Sequence, residues 1–151
     1  MITALHTLLL VTLLVIIVID MREQIIPDIL NLVVLGLGVA TLLIKPDSAT
    51  DHIISAVALG GIGALLAGPY SAWRGRDMLG WGDVKFMFAA GLWLPFTSIG
   101  WFLALAGGLG VVFSLVYRRI TGRAETPFAP ALCISLAVMV ATEMYASLAP
   151  L

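Results

Sequence analysis

Charge is scarce in this chain. Lys and Arg number 8 and Asp and Glu 9 among 151 residues, so charged side chains make up 11% of the sequence, against about 25% in a soluble domain. The cations form no basic patch, which leaves nucleic-acid binding without a footing. Cysteine is rarer still: the single Cys133 excludes a disulfide framework and a Cys-rich zinc site and gives no support to redox chemistry. Internal repeats and low-complexity segments are lacking. The longest polar stretches, Lys45 to Asp51, Ser71 to Asp77 and Arg118 to Thr126, are too short for a second domain, so residues 1–151 read as one. What remains is apolar, at 61% of the chain, and that composition belongs to an integral membrane protein embedded in a lipid bilayer.

Apolar runs of the length that crosses a bilayer extend over Ile2 to Ile19, Ile25 to Ile44, Ile53 to Tyr70, Val84 to Leu94, Ile99 to Tyr117 and Phe128 to Ala149. The expected fold is all-α, a polytopic membrane protein of six transmembrane helices. The fourth run is short for a hydrocarbon core of about 30 Å at about 1.5 Å per residue, so it must start shallow, thin the bilayer or run on into Pro95-Phe96. The first run has no basic segment before it and no small-residue cleavage site after it, and is read as a retained helix, not a signal peptide.

Alternating the connections between two sides places Arg22, Arg74, Arg76, Lys85, Arg118, Arg119 and Arg123 together and leaves Lys45 alone opposite. The positive-inside rule makes the first side cytosolic. The N-terminus is then exterior, and Asp20 and Asp83 come to the same depth at the cytosolic face. Small residues spaced by four, Gly60, Ala64 and Gly68 in the third run and Ala104 and Gly108 in the fifth, read as faces for close helix packing.

A carboxylate at a bilayer boundary is costly to place, by about 2.5–3.5 kcal/mol at a helix centre on insertion scales, and so marks a functional candidate. Two aspartates brought together do not both ionise easily. They hold one shared proton, and such a pair can activate water and protonate a leaving amine, the combination that peptide hydrolysis needs. Asp20 and Asp83 are the candidate catalytic pair. Gly80 and Gly82 flank Trp81 just ahead of Asp83 and permit the close backbone approach of an extended substrate. No His or Cys lies at that face to complete a coordination shell, so neither a metal nor another cofactor is expected.

These residues resemble a family. Asp20-Met21-Arg22-Glu23-Gln24-Ile25-Ile26-Pro27-Asp28 is similar to the first active-site segment of the type IV prepilin peptidases, in which the catalytic aspartate stands seven residues ahead of an Ile/Leu-Pro-Asp/Asn turn. Gly80-Trp81-Gly82-Asp83-Val84-Lys85 is similar to their G-x-G-D-x-K segment. Pro127-Phe128-Ala129-Pro130-Ala131-Leu132 is similar to their Pro-rich entry to the last helix. The resemblance implies a GxGD-type aspartic endopeptidase of the inner membrane. Asp20 and Asp83 would be its catalytic residues, with Gly80, Gly82, Lys85, Pro27, Asp28 and Pro130 supporting them or the substrate. Its partner would be a prepilin or pseudopilin precursor, whose short basic leader it removes on the cytosolic side. The long family form carries paired Cys-x-x-Cys motifs in an amino-terminal cytosolic domain. Their lack here implies the short form associated with Flp/Tad-type pili and puts N-methylation of the product in doubt.

Other residues carry blander expectations. Asp28 and Asp77 are read as solvated boundary charges that could join Glu23 in an acidic rim for a basic leader. Lys85 either extends to the interface or steadies an ionised aspartate. Cys133 is read as packing, Glu143 as a near-surface charge or interhelical partner, His6 as a polar interface residue, and Trp93, Trp101 and Tyr145 as an outer aromatic belt. The rival functions are a small transporter using Asp20 and Asp83 as a coupling-ion site, an inactive assembly subunit and a presenilin-like intramembrane protease.

Overall fold

Backbone N–H and C=O groups in hydrocarbon must be paired within their own segment, and a helix does this for every long apolar run. The computed structural model describes residues 1–75, 79–122 and 126–148. Each of the six apolar runs folds as a helix, and no strand occurs among the described residues. Arg76, Asp77 and Arg123 lie outside the described residues.

Helix α1 spans Ile2–Glu23 and stops where Gln24 takes a left-handed conformation with φ 54°. Pro27, with its φ of −60°, leads into α2, Asp28–Ile44, and Asp28 sits in the first turn, where the helix dipole favours an acidic side chain. Helix α3 spans Ala49–Leu65 and runs through a wider turn at Leu66–Tyr70 into α4, Ser71–Arg74. Pro69 removes one backbone donor from that turn, and the Ser71 hydroxyl donates to the Leu66 carbonyl at 2.8 Å. Helix α5 is short, Trp81–Gly91. Helix α6, Ile99–Thr121, ends on Gly122 at φ 70°, a position that glycine fills without strain. Helix α7 spans Ala129–Leu148.

Among the described residues, four stretches are long and apolar enough to cross a membrane: Ile2–Glu23, Pro46–Arg74, Phe96–Thr121 and Ala129–Ala146. Helix α2 falls just short at 17 residues. Helix α5, at 11 residues, gains its place by burial instead. It packs on α3 and α2 and touches α7, with Val84, Phe86, Met87, Ala89 and Ala90 all buried. Leu14, Val57 and Val112 on the outward faces of α1, α3 and α6 are exposed, as faces turned toward lipid would be.

The helix crossings use small residues, but in a different register from the spacing by four. On α3 the row that meets α5 is Ala56, Gly60 and Gly63. The backbone of Ala56 lies where a Gly91 side chain would begin, and a Cβ on Gly63 would come within 3.3 Å of the Val84 Cα. Gly68 has open space around it. On α6 the inward row is Phe102, Ala106 and Gly110, with Gly110 under the Phe128 ring, whereas Gly108 faces open space. Trp93 also departs from expectation. It is 6% exposed, its indole N–H donates to the Val34 carbonyl at 3.1 Å, and its ring meets the edge of His6, so it belongs to the core. Trp101 and Tyr145 are exposed.

Candidate active site

The C-terminal end of α1 and the N-terminal ends of α2, α5 and α7 meet around one cavity of about 750 Å³. Asp20 and Asp83 both line it, near enough for the charge on one to act on the other. Three helix N-termini at one place supply partial positive charge, which suits a site built from carboxylates.

Asp20 sits in the last turn of α1 at 4% exposure. Its Oδ2 accepts the backbone N–H of Ala129 at 3.0 Å. Ala129 opens α7, so Asp20 caps that helix from another element and satisfies a donor that α7 cannot pair within itself. Gln24 closes α1 by donating its backbone N–H to the Asp20 carbonyl at 2.9 Å, so both the main chain and the side chain of Asp20 are held.

Asp83 is the third residue of α5, and Gly80 is its N-cap. The carboxylate turns back over Gly80, in the position that the acidic member of a capping box takes. A Cβ on Gly80 would come within 3.3 Å of Asp83 Oδ2, and one on Gly82 would touch Ile26 at 3.4 Å. These two glycines let the loop lie against the Ile26-Pro27 turn while the aspartate folds over it. Asn31 secures the arrangement from α2, its Nδ2 donating to the Gly82 carbonyl at 3.2 Å.

The remaining sequence-derived site residues divide. Gly80, Gly82 and Asp28 line the cavity with the two aspartates. Pro27 is not among the lining residues and instead fixes the entry to α2. Pro130 is fully buried in the first turn of α7, and it is Pro127 and Phe128 that reach the cavity wall. Lys85 bonds Asp28, at 2.7 Å with both side chains more than half exposed. That answers the two expectations for Lys85 with a third: it steadies the boundary aspartate of α2. It also occupies one member of the expected acidic rim; Glu23 is exposed, and Asp77 lies outside the described residues. Cys133 is buried packing, and Glu143 accepts the Ser98 hydroxyl at 2.9 Å as an interhelical partner.

Sequence reasoning passed over Asn31 and the Ala129 amide. Asn31 had a signal, a lone carboxamide within an otherwise apolar helix. The amide had none, since a backbone donor is anonymous in sequence. Among the described residues no three His, Cys, Asp or Glu side chains converge to hold a metal.

Comparison with known proteins bears on this geometry. The sequence model of the Type IV leader peptidase family matches residues 7–115, a stretch that includes both cavity aspartates. The chain is 34% identical over 110 residues to a prepilin leader peptidase/N-methyltransferase of Escherichia coli, covering 68% of this chain and 48% of that protein. A protein of the same description from Legionella pneumophila is 30% identical over 125 residues (78% and 42%), and one from Neisseria gonorrhoeae 31% over 121 residues (78% and 41%). The chain thus spans less than half the length of these relatives. No solved structure matches it.

Proposed function

Since the chain belongs to the type IV leader peptidase family, we propose that it is a membrane-embedded aspartic endopeptidase that removes the basic leader from prepilin-like precursors, with Asp20 and Asp83 as its catalytic pair. The observation that carries this reading is the convergence of those two aspartates, 63 positions apart in sequence (83 − 20), on one cavity at the ends of four helices.

In this reading a water lies between the carboxylates. The ionised member takes a proton from it as its oxygen attacks the scissile carbonyl, and the protonated member donates to the carbonyl oxygen. Collapse of the tetrahedral intermediate breaks the C–N bond, and the amine leaves with a proton from the pair. The result is one carboxylic acid and one amine for each water consumed. The Ala129 N–H on Asp20 and the close lie of Asp83 against Gly80 hold the carboxylates in place, so little of the barrier goes to reorienting them.

Orientation follows from charge. Arg22, Arg74, Lys85, Arg118 and Arg119 lie at the cavity end of their helices and Lys45 at the other. The positive-inside rule then puts the cavity at the cytosolic face of a six-span inner-membrane protein with an exterior N-terminus, the side on which an unprocessed precursor is met. The test is cleavage of a prepilin precursor by the purified chain in lipid, read by the mass of the released leader. An intact precursor would refute the assignment.

A further inference from the structure

Among the described residues, none of those lining the catalytic cavity belongs to α6, yet α6 grips the segment that walls the cavity on one side. That segment is Thr126, Pro127 and Phe128, all three of which line the cavity just ahead of α7. Gly110 and Ser114 stand four residues apart on α6 and so share a face. The Thr126 hydroxyl donates to the Ser114 hydroxyl at 3.2 Å. One turn away, the Phe128 ring lies over Gly110 so closely that a Cβ there would fall 2.5 Å from the ring Cε2. Two contacts one helical turn apart thus dock the segment on α6.

The far end of the segment is held as well. The Phe128 carbonyl accepts the backbone N–H of Ala131 at 3.1 Å and that of Leu132 at 3.4 Å, so α7 starts from it. The next N–H along the chain, that of Ala129, is the one held by Asp20 Oδ2. Pro127 restricts the backbone on the other side. The main chain of Phe128 is therefore fixed within one residue of the proposed catalytic carboxylate, and its side chain sits in a notch that a glycine leaves open. A half-buried ring held in this way is a rigid boundary of the cavity, because its backbone and its seat both resist displacement by an occupant.

We propose that Phe128 determines substrate specificity: its ring bounds the space beside Asp20 for a side chain flanking the scissile bond, and Gly110 sets how far the ring stands back from that space. The assignment rests on the leader-peptidase reading and deepens it by naming a residue that selects by size. Removing the ring enlarges the space. Driving the ring off α6 reduces it, since the cavity is the hollow that the ring borders. One methylene more or less in an apolar pocket changes kcat/KM by about 10- to 200-fold, so the two changes shift selectivity in opposite directions by a measurable amount.

Kinetics on the full chain in lipid test this, with precursors that carry Gly, Ala or Leu at each of the two positions flanking the scissile bond. At one of these positions Phe128→Ala is expected to raise kcat/KM for the Leu precursor, relative to the Gly precursor, by at least about tenfold. Gly110→Ala should lower the ratio of Ala to Gly precursor at that same position, and Gly108→Ala, in open space on α6, should leave both ratios at their wild-type values. Should Phe128→Ala fail to fold, Phe128→Leu carries the same expectation with a side chain that still fills part of the notch. A role in packing alone would slow every precursor by the same factor. If the wild type cleaves and the Phe128 and Gly110 variants scale all precursors equally, or leave the ratios unchanged, Phe128 only joins α6 to α7 and this inference falls alone. If the wild type cleaves none of the precursors, the leader-peptidase reading falls and takes the specificity assignment with it.

Discussion

Asp20 Oδ2 holds the backbone N–H of Ala129 at 3.0 Å across 109 positions of sequence, so the carboxylate proposed for catalysis is also the cap of the last helix. Two duties on one side chain can be separated by choosing the replacement. Asparagine keeps an oxygen that accepts the Ala129 amide but cannot exchange a proton with water. Alanine removes both.

Asp20→Asn is therefore expected to lose at least about 10³-fold in cleavage rate while its thermal unfolding stays near that of the wild type. Asp20→Ala should be equally inactive and also less stable by about 1–3 kcal/mol, because the Ala129 N–H is left buried and unpaired. Asp83→Asn should match Asp20→Asn in activity. Full cleavage by either asparagine variant, measured by leader release, would remove the aspartic pair from the mechanism.

Gly91 tests the central crossing. A Cβ there would enter the Ala56 backbone of α3, which unlike a flexible side chain cannot turn aside. Gly91→Ala should force α3 and α5 apart and destabilise the protein by about 1–3 kcal/mol, as overpacking does. Gly108→Ala, in open space, should change the unfolding midpoint little, and equal shifts in the two variants would refute the crossing.

Much of this was legible in the sequence because hydrocarbon leaves few options. Six apolar runs gave six helices, and charge and alternation alone brought Asp20 and Asp83 to the same end. What escaped was register. The small-residue rows were read as Gly60-Ala64-Gly68 and Ala104-Gly108, yet the contacts fall on Ala56-Gly60-Gly63 and Phe102-Ala106-Gly110. A glycine serves equally as a contact or as a gap, and periodicity does not say which partner approaches. Trp93 escaped for a related reason: an indole near a helix end suits an aromatic belt, and only the Val34 carbonyl opposite it makes it a core residue.

Asp28 distinguishes the pair from its neighbours. It lines the same cavity as Asp20 and Asp83, but its carboxylate is occupied by Lys85 at 2.7 Å on an exposed surface, where an ion pair contributes about 0–1 kcal/mol. Asp28→Asn should keep cleavage within about tenfold of the wild type, through KM more than kcat. An inactive Asp28→Asn beside an active Asp20→Asn would mean that Asp28 is the catalytic carboxylate.

Orientation is checked by reporters. Fusions after Arg76 and after Arg123 should report cytosolic, and fusions near Asp47 or after Leu151 exterior, because seven of the eight cations fall on one side of the alternation. The reverse pattern would put the cavity on the face that unprocessed precursors never meet.

Metal independence is the sharpest division between hydrolytic mechanisms at a carboxylate site. Calcium takes six to eight oxygen ligands and magnesium six, while catalytic zinc takes three protein ligands that usually include His. The cavity offers Asp20, whose Oδ2 is on the Ala129 amide, Asp83, which lies against Gly80, and Asp28, which is tied to Lys85. Asp20 and Asp28 thus each have a protein donor already. Cleavage by the purified chain is expected to be unchanged by EDTA and by added divalent ions, since in the proposed mechanism the pair itself activates the water. Activity that disappears with EDTA and returns with a divalent ion would recast Asp20 and Asp83 as ligands, and Asp20→Asn and Asp83→Asn would then weaken metal binding in parallel with their loss of cleavage.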